Sequence, residues 1–430
     1  MSLVVQKWGG STLSSVNQLK RVASKIFSKQ GAGDKVVVVV SAMEKRTDNL
    51  IDLAKSITDL PNLREYDSLI SIGEQESSAL LAIAINSLGG KARSLLGFQV
   101  PIMTDGAFKD ARIEKIGTDV IKSLLKDGYI VVVAGFQGVD SSDNITTLGR
   151  GGTDNTAVAV AHALKADICE IYKDVNGVYT ADPDIEPRAK RLDRISYEEV
   201  LEMASLGADV LQIHAVETAM RLDVPLHVLP DKGAGKGTFV VKGDKEMEKK
   251  AVSGVVMDRK ESKITIYHIP DRPGVAKSIF KPLADENISV DLIIQNVSET
   301  GYTDLTFTVR HEYLARAKKI TKQSAESLGS YGVVTDTKIA KVSVVGLGMR
   351  SHAGIAVRMF EALADGGINI QMISTSEIKI SCVVDEDYGE LAVRLLHKTF
   401  KLDKHGWGKK QGSKTRPKRK KETMDGKNNR

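Results

Sequence analysis

The chain of 430 residues has little cysteine, no long hydrophobic run and no visible signal for secretion. Its two cysteines, Cys169 and Cys382, lie far apart inside apolar strand-like runs, so we expect buried small side chains rather than a disulfide or a metal pair. No apolar run approaches the roughly 18 residues that a membrane span needs, and the N-terminus reads at once as a strand. We therefore expect a cytoplasmic globular protein without a membrane partner.

The last 25 residues have almost no large apolar side chains. They hold ten lysines and arginines against two acidic residues, a net charge of +8, whereas the formal net charge of the whole chain is +6. A segment of this composition buries too little surface to order itself, so 404–430 is predicted to be a disordered basic tail. The basic run lacks interleaved aromatic residues, so a solvated extension is favoured over a nucleic-acid partner.

The first 240 residues alternate short β-branched runs with amphipathic stretches. The β-branched runs predict buried strands at 35–40, 128–134, 167–173 and 224–229. Apolar residues spaced three and four apart predict helices at 14–27, 71–88, 112–125, 153–164 and 208–222. This alternation predicts an α/β domain, 1–240, whose parallel sheet carries helices on both faces and binds ligands at the carboxyl ends of its strands.

The C-terminal third contains an internal repeat. The segment 271–297 recurs from about residue 350 at a constant offset of 80, so that Gly274 matches Gly354 without a gap. Such a match predicts one supersecondary unit used twice, because loops accept insertions and packed elements do not. Two βαββαβ units are expected within 252–403, with copies near 262–336 and 340–403.

Two glycine-bearing turns follow predicted strands and precede helices. In the first, Lys7 stands before Gly9 and Gly10, whose N–H groups can approach an anion closely. Alone, this is also the pattern of an ordinary turn, and it matches neither the nucleotide loop ending in Gly-Lys-Ser/Thr nor the three-glycine dinucleotide fingerprint. In the second turn, Arg150 can grip a carboxylate and Thr153 can cap the following helix.

Asp154 is the unusual member of the second turn. An acid beside bound phosphate costs energy unless it orients a lysine, a metal or a nucleophile, although it is equally compatible with an ordinary helix N-terminal acid. A third strand end, at Ser41, precedes a helix start at Thr47, and Glu74 either meets a substrate ammonium or lies on a solvated face. We call each of these turns at a strand end a corner. Three such corners on one sheet suggest phosphoryl transfer between a nucleotide and a small carboxylate-bearing acceptor.

Several stretches carry a resemblance to a known family. They are 5–11 (VQKWGGS), 41–50, 147–154 (TLGRGGTD), 174–183 (DVNGVYTADP) and, in the repeat, 369–378 (NIQMISTSEI). Over residues 3 to about 402 the chain resembles aspartate kinase of the monofunctional kind. The resemblance implies the amino acid kinase fold, a three-layer αβα sandwich with a mostly parallel eight-stranded sheet, followed by two ferredoxin-like ACT modules.

The resemblance implies transfer of the ATP γ-phosphoryl group to the side-chain carboxylate of L-aspartate, giving 4-phospho-L-aspartate and opening the synthesis of lysine, threonine and methionine. By motif, Lys7 and Asp154 are the catalytic pair. The residues implied for the nucleotide are Lys7, Gly9, Gly10, Ser41, Lys173, Asp174, Tyr179, Asp182 and Lys232. Those implied for aspartate are Thr47, Glu74, Arg150, Gly151, Gly152 and Thr153. Mg²⁺ would be held mainly by ATP oxygens and water rather than by a protein metal site.

The sequence departs from the family's pattern near the nucleotide. Glu44 stands where the family usually has glycine, with Arg46 close by as a compensating charge. Asp184 replaces an arginine, and Lys173, where threonine is frequent, can restore the lost positive charge. His214 stands where the family commonly has arginine.

The ACT modules imply feedback regulation by lysine, threonine or both, and pairing of modules into a homo-oligomer, with a shorter ACT-only chain as a further partner. The residues that match effector-binding positions are Asp271, Gly274, Asp291, Gln295, Asn369, Ile370, Ser376 and Glu377. Acetylglutamate kinase and glutamate 5-kinase would keep the glycine turns but lack tandem ACT modules. A catalytically weak amino-acid sensor is the alternative from another class, with Glu44 and Asp184 as its only sequence arguments.

Overall fold

The structure is a computed structural model that describes residues 2–149, 151–208, 210–296 and 301–404. The N-terminal region has twelve strands in its described residues: β1 Leu3–Trp8, β2 Lys35–Val40, β3 Ala92–Leu95, β4 Ile102–Thr104, β5 Ile113–Ile116, β6 Ile130–Ala134, β7 Gln137–Val139, β8 Ile145–Thr147, β9 Ile168–Lys173, β10 Arg194–Ser196, β11 Leu226–Pro230 and β12 Thr238–Val241. Its helices are α1 Val16–Gly31, α2 Arg46–Ile57, α3 Leu63–Ile70, α4 Ile72–Ser87, α5 Asp119–Lys126, α6 Gly152–Leu164, α7 Tyr197–Ser205 and α8 Ile213–Leu222.

Eight of these strands form the central sheet, in the order β10-β12-β11-β9-β1-β2-β6-β3. Every neighbouring pair is parallel except β11 with β12. Strand β2 has the burial expected in such a parallel sheet. Its residues Val36 to Val40 are fully buried, as expected for a β-branched run covered by helices on both faces. The predicted α/β fold with a mostly parallel sheet is confirmed.

Two of the predicted helices were wrong in part. Residues 112–125 begin as strand β5 and become helical only at Asp119, and 208–222 becomes helical only at Ile213. Strand β5 belongs to a small sheet, in the order β5-β4-β7-β8, that the apolar periodicity did not reveal. Its strands are three or four residues long, which is too short for an alternating pattern to be distinguished from a loop.

The C-terminal region contains strands β13 Gly254–Asp258, β14 Glu261–Pro270, β15 Val290–Gln295, β16 Tyr302–Arg310, β17 Gly332–Asp336, β18 Ile339–Val345, β19 Met372–Thr375 and β20 Lys379–Asp385. Its helices are α9 Val275–Asp285, α10 Leu314–Ser327, α11 Ile355–Asp365 and α12 Gly389–Thr399. Helices α9 and α11 begin 80 residues apart, each after a glycine with positive φ, Gly274 at 96° and Gly354 at 83°. The structural repeat therefore follows the sequence repeat.

The two sheets of the C-terminal region are not built in the same way. The first, in the order β15-β16-β14-β17, uses one continuous stretch of chain. The second, β13-β18-β20-β19, takes its edge strand from residues that precede the whole first module, and β13 pairs antiparallel with β18 as β17 does with β14. The expectation that each copy supplies its own last strand is therefore wrong for the second copy.

Other predictions concern single residues and the termini. Cys169 and Cys382 are both free and buried, as predicted. Among the helices of the described residues, none combines the length and apolar character required to cross a bilayer. The predicted disordered tail lies outside the described residues from position 405 onward.

Candidate active site

The parallel strands β1, β2, β6, β9 and β11 end at one edge of the central sheet. Seven of the nine residues predicted for the nucleotide lie in the segments that leave them: 9–15, 41–45, 135–136, 174–193 and 231–237. Helix α6 begins at the same edge, directly after Gly151. Because all of these segments start at one edge, residues far apart in sequence are brought close together there.

Lys7 and Asp154 form a buried ion pair at this edge. Lys7 is the penultimate residue of β1 and lies on the same face as Val5, which packs in the core shared with α6. Asp154 lies in the first turn of α6. The Lys7 Nζ and Asp154 Oδ1 atoms are 2.7 Å apart, although this oxygen makes no hydrogen bond of good geometry within the described residues. Since the pair is buried and the helix N-terminus is electropositive, the site suits an anion that replaces Asp154 as the partner of the Lys7 ammonium group.

Gly9 and Gly10 form a close-fitting corner beside this pair. A Cβ atom on Gly10 would lie 2.6 Å from the carbonyl oxygen of Ala42, and one on Gly9 would lie 3.2 Å from Lys7 Nζ. The Ser41 N–H donates to the carbonyl of Trp8 at 3.0 Å, which joins the corner after β1 to the corner after β2. Glycine at position 10 thus lets the corner after β1 pack directly against the corner after β2, and glycine at position 9 leaves no side chain beside Lys7 Nζ.

Glu74 lies in the first turn of α4, and Gly73 allows that turn to reach the Ser41 corner. A Cβ atom on Gly73 would lie 2.6 Å from the Ala42 Cβ atom. The Glu74 Oε1 atom accepts a hydrogen bond from the Ala42 N–H at 2.9 Å, whereas Oε2 is buried and has no partner within the described residues. Burial raises the pKa of Glu74 from 4.5 to about 7, against the hydrogen bond from Ala42. The orphaned oxygen is a suitable acceptor for a substrate ammonium group.

The other residues predicted for aspartate lie around the start of α6 and α2. Gly151 has φ of 74° and packs against the Gln212 side chain, Gly152 opens the helix, and Thr153 is buried. Thr47 is the second residue of α2 and is half-buried. Arg150, predicted to hold the α-carboxylate, lies outside the described residues.

Gly135 and Phe136, which sequence reasoning missed, complete the corner after β6. A Cβ atom on Gly135 would lie 2.7 Å from Thr153 Cγ2, so the glycine lets α6 begin close to the sheet. The Phe136 N–H donates to Thr156 Oγ1 at 3.2 Å. A glycine directly after a buried strand was the available signal, the same one that marked Gly9 and Gly10.

Asp67 is a second missed residue, and it supports the segment that leads into α6. Its carboxylate is fully buried and accepts hydrogen bonds from the Thr147 N–H at 2.8 Å, the Thr147 hydroxyl at 3.0 Å and the Lys109 N–H at 2.9 Å. These bonds tie α3 to the small sheet just before Gly151. No local pattern marks it, because an aspartate in a short amphipathic helix reads as a solvated position.

Four of the residues predicted for the nucleotide share a cleft of about 520 Å³. They are Lys173, Asp174, Tyr179 and Asp182. Residues of α7 and the following loop, of β13 and Val393 of α12 also line the cleft. Lys232 is exposed on the loop after β11 and does not line this cleft. The neighbouring Asp231 N–H donates to the carbonyl of Lys173 at 2.6 Å, so the two loops are connected.

The departures from the family's pattern lie largely at the surface. Glu44 is exposed, and Arg46 pairs with Glu76 at 2.8 Å rather than with Glu44. Asp184 is also exposed. His214 has an imidazole 3.1 Å from the carboxylate of Glu217. Across the described ranges, no cluster of three or more histidine, cysteine, aspartate or glutamate residues is placed to hold a metal ion.

The residues predicted for an effector are spread over both regulatory modules. Gly274 caps α9, and Glu377 pairs with Arg350 at 3.0 Å. Asp291 contacts Lys341, which is buried and also lies 2.7 Å from Glu261. Of the remaining predicted residues, Ile370 is half-buried. The others are exposed: Asp271, Gln295, Asn369 and Ser376.

Lys341 joins the two modules. Burial works in the opposite direction, but the carboxylates of Glu261 and Asp291 raise the pKa of Lys341 and hold it charged. Glu261 begins β14 and Asp291 lies in β15, whereas Lys341 lies in β18. Asp291 is therefore engaged in the contact between modules, in addition to any role toward a ligand.

Comparison with known families and proteins follows the same division of the chain. Residues 2–230 match the amino acid kinase family, and residues 263–326 and 342–400 each match the ACT domain. An aspartate kinase of Pseudomonas fluorescens is 55% identical over 407 residues, which cover 94% of this chain and 98% of that protein. An aspartokinase of Mycolicibacterium smegmatis is 47% identical over 408 residues, covering 94% and 97%.

Solved structures show the same arrangement. Escherichia coli aspartokinase III in complex with aspartate and ADP, in its R-state, is 25% identical with a TM-score of 0.71, over 92% of this chain and 99% of that one. The complex of the same enzyme with lysine and aspartate, in its T-state, is 25% identical with a TM-score of 0.77, over 93% and 99%.

Proposed function

Since this chain belongs to the aspartate kinase family, we propose that it transfers the γ-phosphoryl group of ATP to the side-chain carboxylate of L-aspartate, giving 4-phospho-L-aspartate. The observation that supports this most directly is the Lys7–Asp154 ion pair at 2.7 Å beside the Gly9–Gly10 corner. It combines a buried cation for the transferring phosphoryl group with a backbone that an anion can approach.

Each residue has a proposed task in this reaction. Lys7 neutralises the phosphoryl group as it moves, and Asp154 orients Lys7. No strong general base is required, because the nucleophile is already a carboxylate. Glu74 receives the substrate ammonium on its free oxygen, while Arg150 and Thr153 hold the α-carboxylate. The fixed positions of these groups supply proximity and charge stabilisation.

The nucleotide is proposed to lie along the loop 174–183, with its phosphates toward Gly9, Gly10 and Ser41. The corner after β1 fits a polyphosphate, because glycine backbone N–H groups can approach an anion closely and residue 9 has no Cβ atom beside Lys7 Nζ. Lys232 reaches the phosphates from the loop after β11. Mg²⁺, bound mainly by ATP oxygens and water, would supply charge neutralisation of the phosphates.

The domain limits proposed are 1–240 for catalysis and 252–403 for regulation. Lysine, threonine or both are proposed as effectors that bind the paired ACT modules, so that the products of the pathway opened by 4-phospho-L-aspartate control its first step. We also propose a homo-oligomer formed through the ACT modules, together with a shorter ACT-only chain where an internal start is used. In support, β15 and β19 are sheet edges and expose Ile293 and Ile373.

Hydroxylamine trapping of the acyl phosphate tests the proposed reaction. Wild type with ATP, Mg²⁺ and aspartate should release ADP and form the hydroxamate of aspartate in equal amounts. Lys7→Met should lower kcat by at least about a hundredfold, the scale of a lost transition-state charge contact, with an unchanged circular dichroism spectrum. Lys20→Met, which removes an exposed lysine of α1, is the matched control.

Asp154→Asn completes this test, because the two groups act as a unit. The double variant Lys7→Met with Asp154→Asn should be little worse than Lys7→Met alone. Retained turnover in a folded Lys7→Met variant would refute the proposed role of the pair. Absence of hydroxamate in wild type would refute aspartate as the phosphoryl acceptor.

A further inference from the structure

Thr180 lies at the centre of the loop that is proposed to hold the nucleotide. Its neighbours Tyr179, Ala181 and Asp182 all line the 520 Å³ cleft, whereas Thr180 itself is fully buried. The position of Thr180 therefore sets where the lining side chains on both sides of it stand.

Four hydrogen bonds hold Thr180, and two of them come from the regulatory region. Within the loop, the Thr180 N–H donates to the carbonyl of Lys190, and the Lys190 N–H donates to Thr180 Oγ1, each at 2.9 Å. From β13, the Val255 N–H donates to the carbonyl of Thr180 at 2.8 Å. From α12, His397 Nε2 shares a hydrogen bond of 2.9 Å with Thr180 Oγ1.

β13 approaches the loop this closely because it carries a glycine. A Cβ atom on Gly254 would lie 3.1 Å from the carbonyl oxygen of Thr180 and 2.7 Å from Met203 Cε. β13 is also the strand that completes the second regulatory sheet. The nucleotide loop thus rests on the second regulatory module itself and not on a linker.

His397 is an unusual residue to find at this position. It is fully buried in α12, and its Nδ1 atom has no hydrogen-bond partner in the described part of the chain. Burial lowers the pKa of His397, while the nearby carboxylates of Glu186 and Asp403 act in the opposite direction and Arg188 adds to the lowering. A buried polar ring with one unsatisfied nitrogen costs stability, so an apolar residue would serve packing better. Within the described residues, the imidazole ring of His397 hydrogen-bonds to Thr180 alone.

We propose that His397 is a positioning residue for the nucleotide site, which fixes the loop 178–182 through Thr180 and makes nucleotide affinity depend on the second regulatory module. The inference rests on the proposed nucleotide site. Without the hydrogen bond the loop samples more positions, and nucleotide binding has to order it again. The effect should fall on nucleotide affinity, because the loop that Thr180 anchors lines the cleft, whereas Glu74 and Asp154 do not line it.

The test compares His397→Leu with His397→Gln. The glutamine amide reaches the position of Nε2 and keeps the bond to Thr180, while leucine fills the space without it. For His397→Leu we expect KM for ATP and Kd for ADP, measured by calorimetry, to rise about fivefold, the effect of one buried hydrogen bond. KM for aspartate and kcat should stay within about twofold of wild type, and His397→Gln should restore both nucleotide constants. If His397→Leu does not fold, His397→Asn, whose amide stops short of Thr180, replaces it.

Leu396→Val is the matched control, since Leu396 is a buried residue of the same helix whose side chain has no polar atom to bond Thr180. Equal nucleotide affinity in His397→Leu and wild type would overturn the inference. So would a shift in Leu396→Val as large as that in His397→Leu, or a failure of glutamine to restore affinity.

The calorimetric readout separates this inference from the proposed reaction. If wild type binds ADP but does not phosphorylate aspartate, the reaction fails while the ADP constants of the variants still decide the role of His397. If wild type does not bind ADP, both are refuted.

Discussion

Replacing Glu74 by glutamine changes the charge of one buried group and little else. The amide oxygen of glutamine can still accept the Ala42 N–H at the place of Oε1. The amide NH₂ group then stands where Oε2 has no partner, and the cost of burying it does not change with pH. Any pH dependence in the stability difference between wild type and Glu74→Gln therefore reports the ionisation of Glu74.

The direction and the size of this pH dependence follow from the raised pKa of Glu74. The pKa of Glu74 is about 7 in the folded protein against an ordinary value of 4.5. The unfolded chain therefore loses this proton first as pH rises, so the stabilisation present below pH 4.5 is lost progressively up to pH 7. At about 1.4 kcal/mol for each pH unit between the two pKa values, wild type should lose about 2.5 kcal/mol relative to Glu74→Gln between about pH 5 and about pH 8.

Urea unfolding at a series of pH values measures this difference. Fluorescence of Trp8, which is buried and stacked on Tyr172 in the same domain, reports unfolding of the catalytic region. Glu76→Gln is the control, because Glu76 is half-exposed on the same helix and pairs with Arg46. A pair of that kind contributes at most about 1 kcal/mol, so its removal cannot reproduce the expected change.

The same substitution tests the substrate contact. An ammonium group binds the ionised carboxylate, so KM for aspartate in wild type should rise as pH falls below about 7. Glu74→Gln should have a high KM that does not change over this range. A stability difference that is flat between about pH 5 and about pH 8, or that moves in favour of wild type, would refute the argument for a buried and unpaired carboxylate.

Three other predictions follow from the geometry. Gly10→Ala places a Cβ atom 2.6 Å from the Ala42 carbonyl oxygen. Because the corner has to open to accept it, kcat should fall at least about tenfold. In the control Gly31→Ala the new Cβ atom meets nothing within 4 Å, so kcat should be unchanged. Lysine and threonine, added singly and together to a coupled assay, should inhibit the enzyme. A hundredfold shift in activity needs an effector whose affinities for the active and inactive states differ by about 2.7 kcal/mol. Rates that are unaffected by both amino acids together would contradict regulation through the modules. The molar mass measured by light scattering should correspond to at least a dimer. Ile293→Asp in the exposed edge strand β15 should weaken this association. A monomeric wild type would contradict pairing through the modules.

Local sequence patterns predicted much of the fold. The strand at 35–40 is visible because five consecutive valines favour a buried strand whatever surrounds them. The repeat was visible because Gly274 and Gly354 must both take positive φ before a helix of the same length. In each case the physical cause acts between residues that are close in the chain.

Other features depend on contacts between distant segments. Nothing near Asp67 in sequence indicates that it accepts hydrogen bonds from Thr147, and nothing near Glu74 indicates that Gly73 will allow it to reach Ala42. The completion of the second regulatory sheet by β13 and the engagement of Asp291 by Lys341 also required the assembled structure.

The sequence by itself determined the buried strands β1, β2, β6, β9 and β11, the presence of a repeated module, and the position of Lys7 and Asp154 at glycine-bearing corners. Only the tertiary structure placed their charged atoms 2.7 Å apart, buried Glu74 enough to raise its pKa, and set His397 against Thr180. The reason is that secondary structure follows from periodicity within one segment, whereas distance, burial and pKa depend on sheet register and on how separate segments pack.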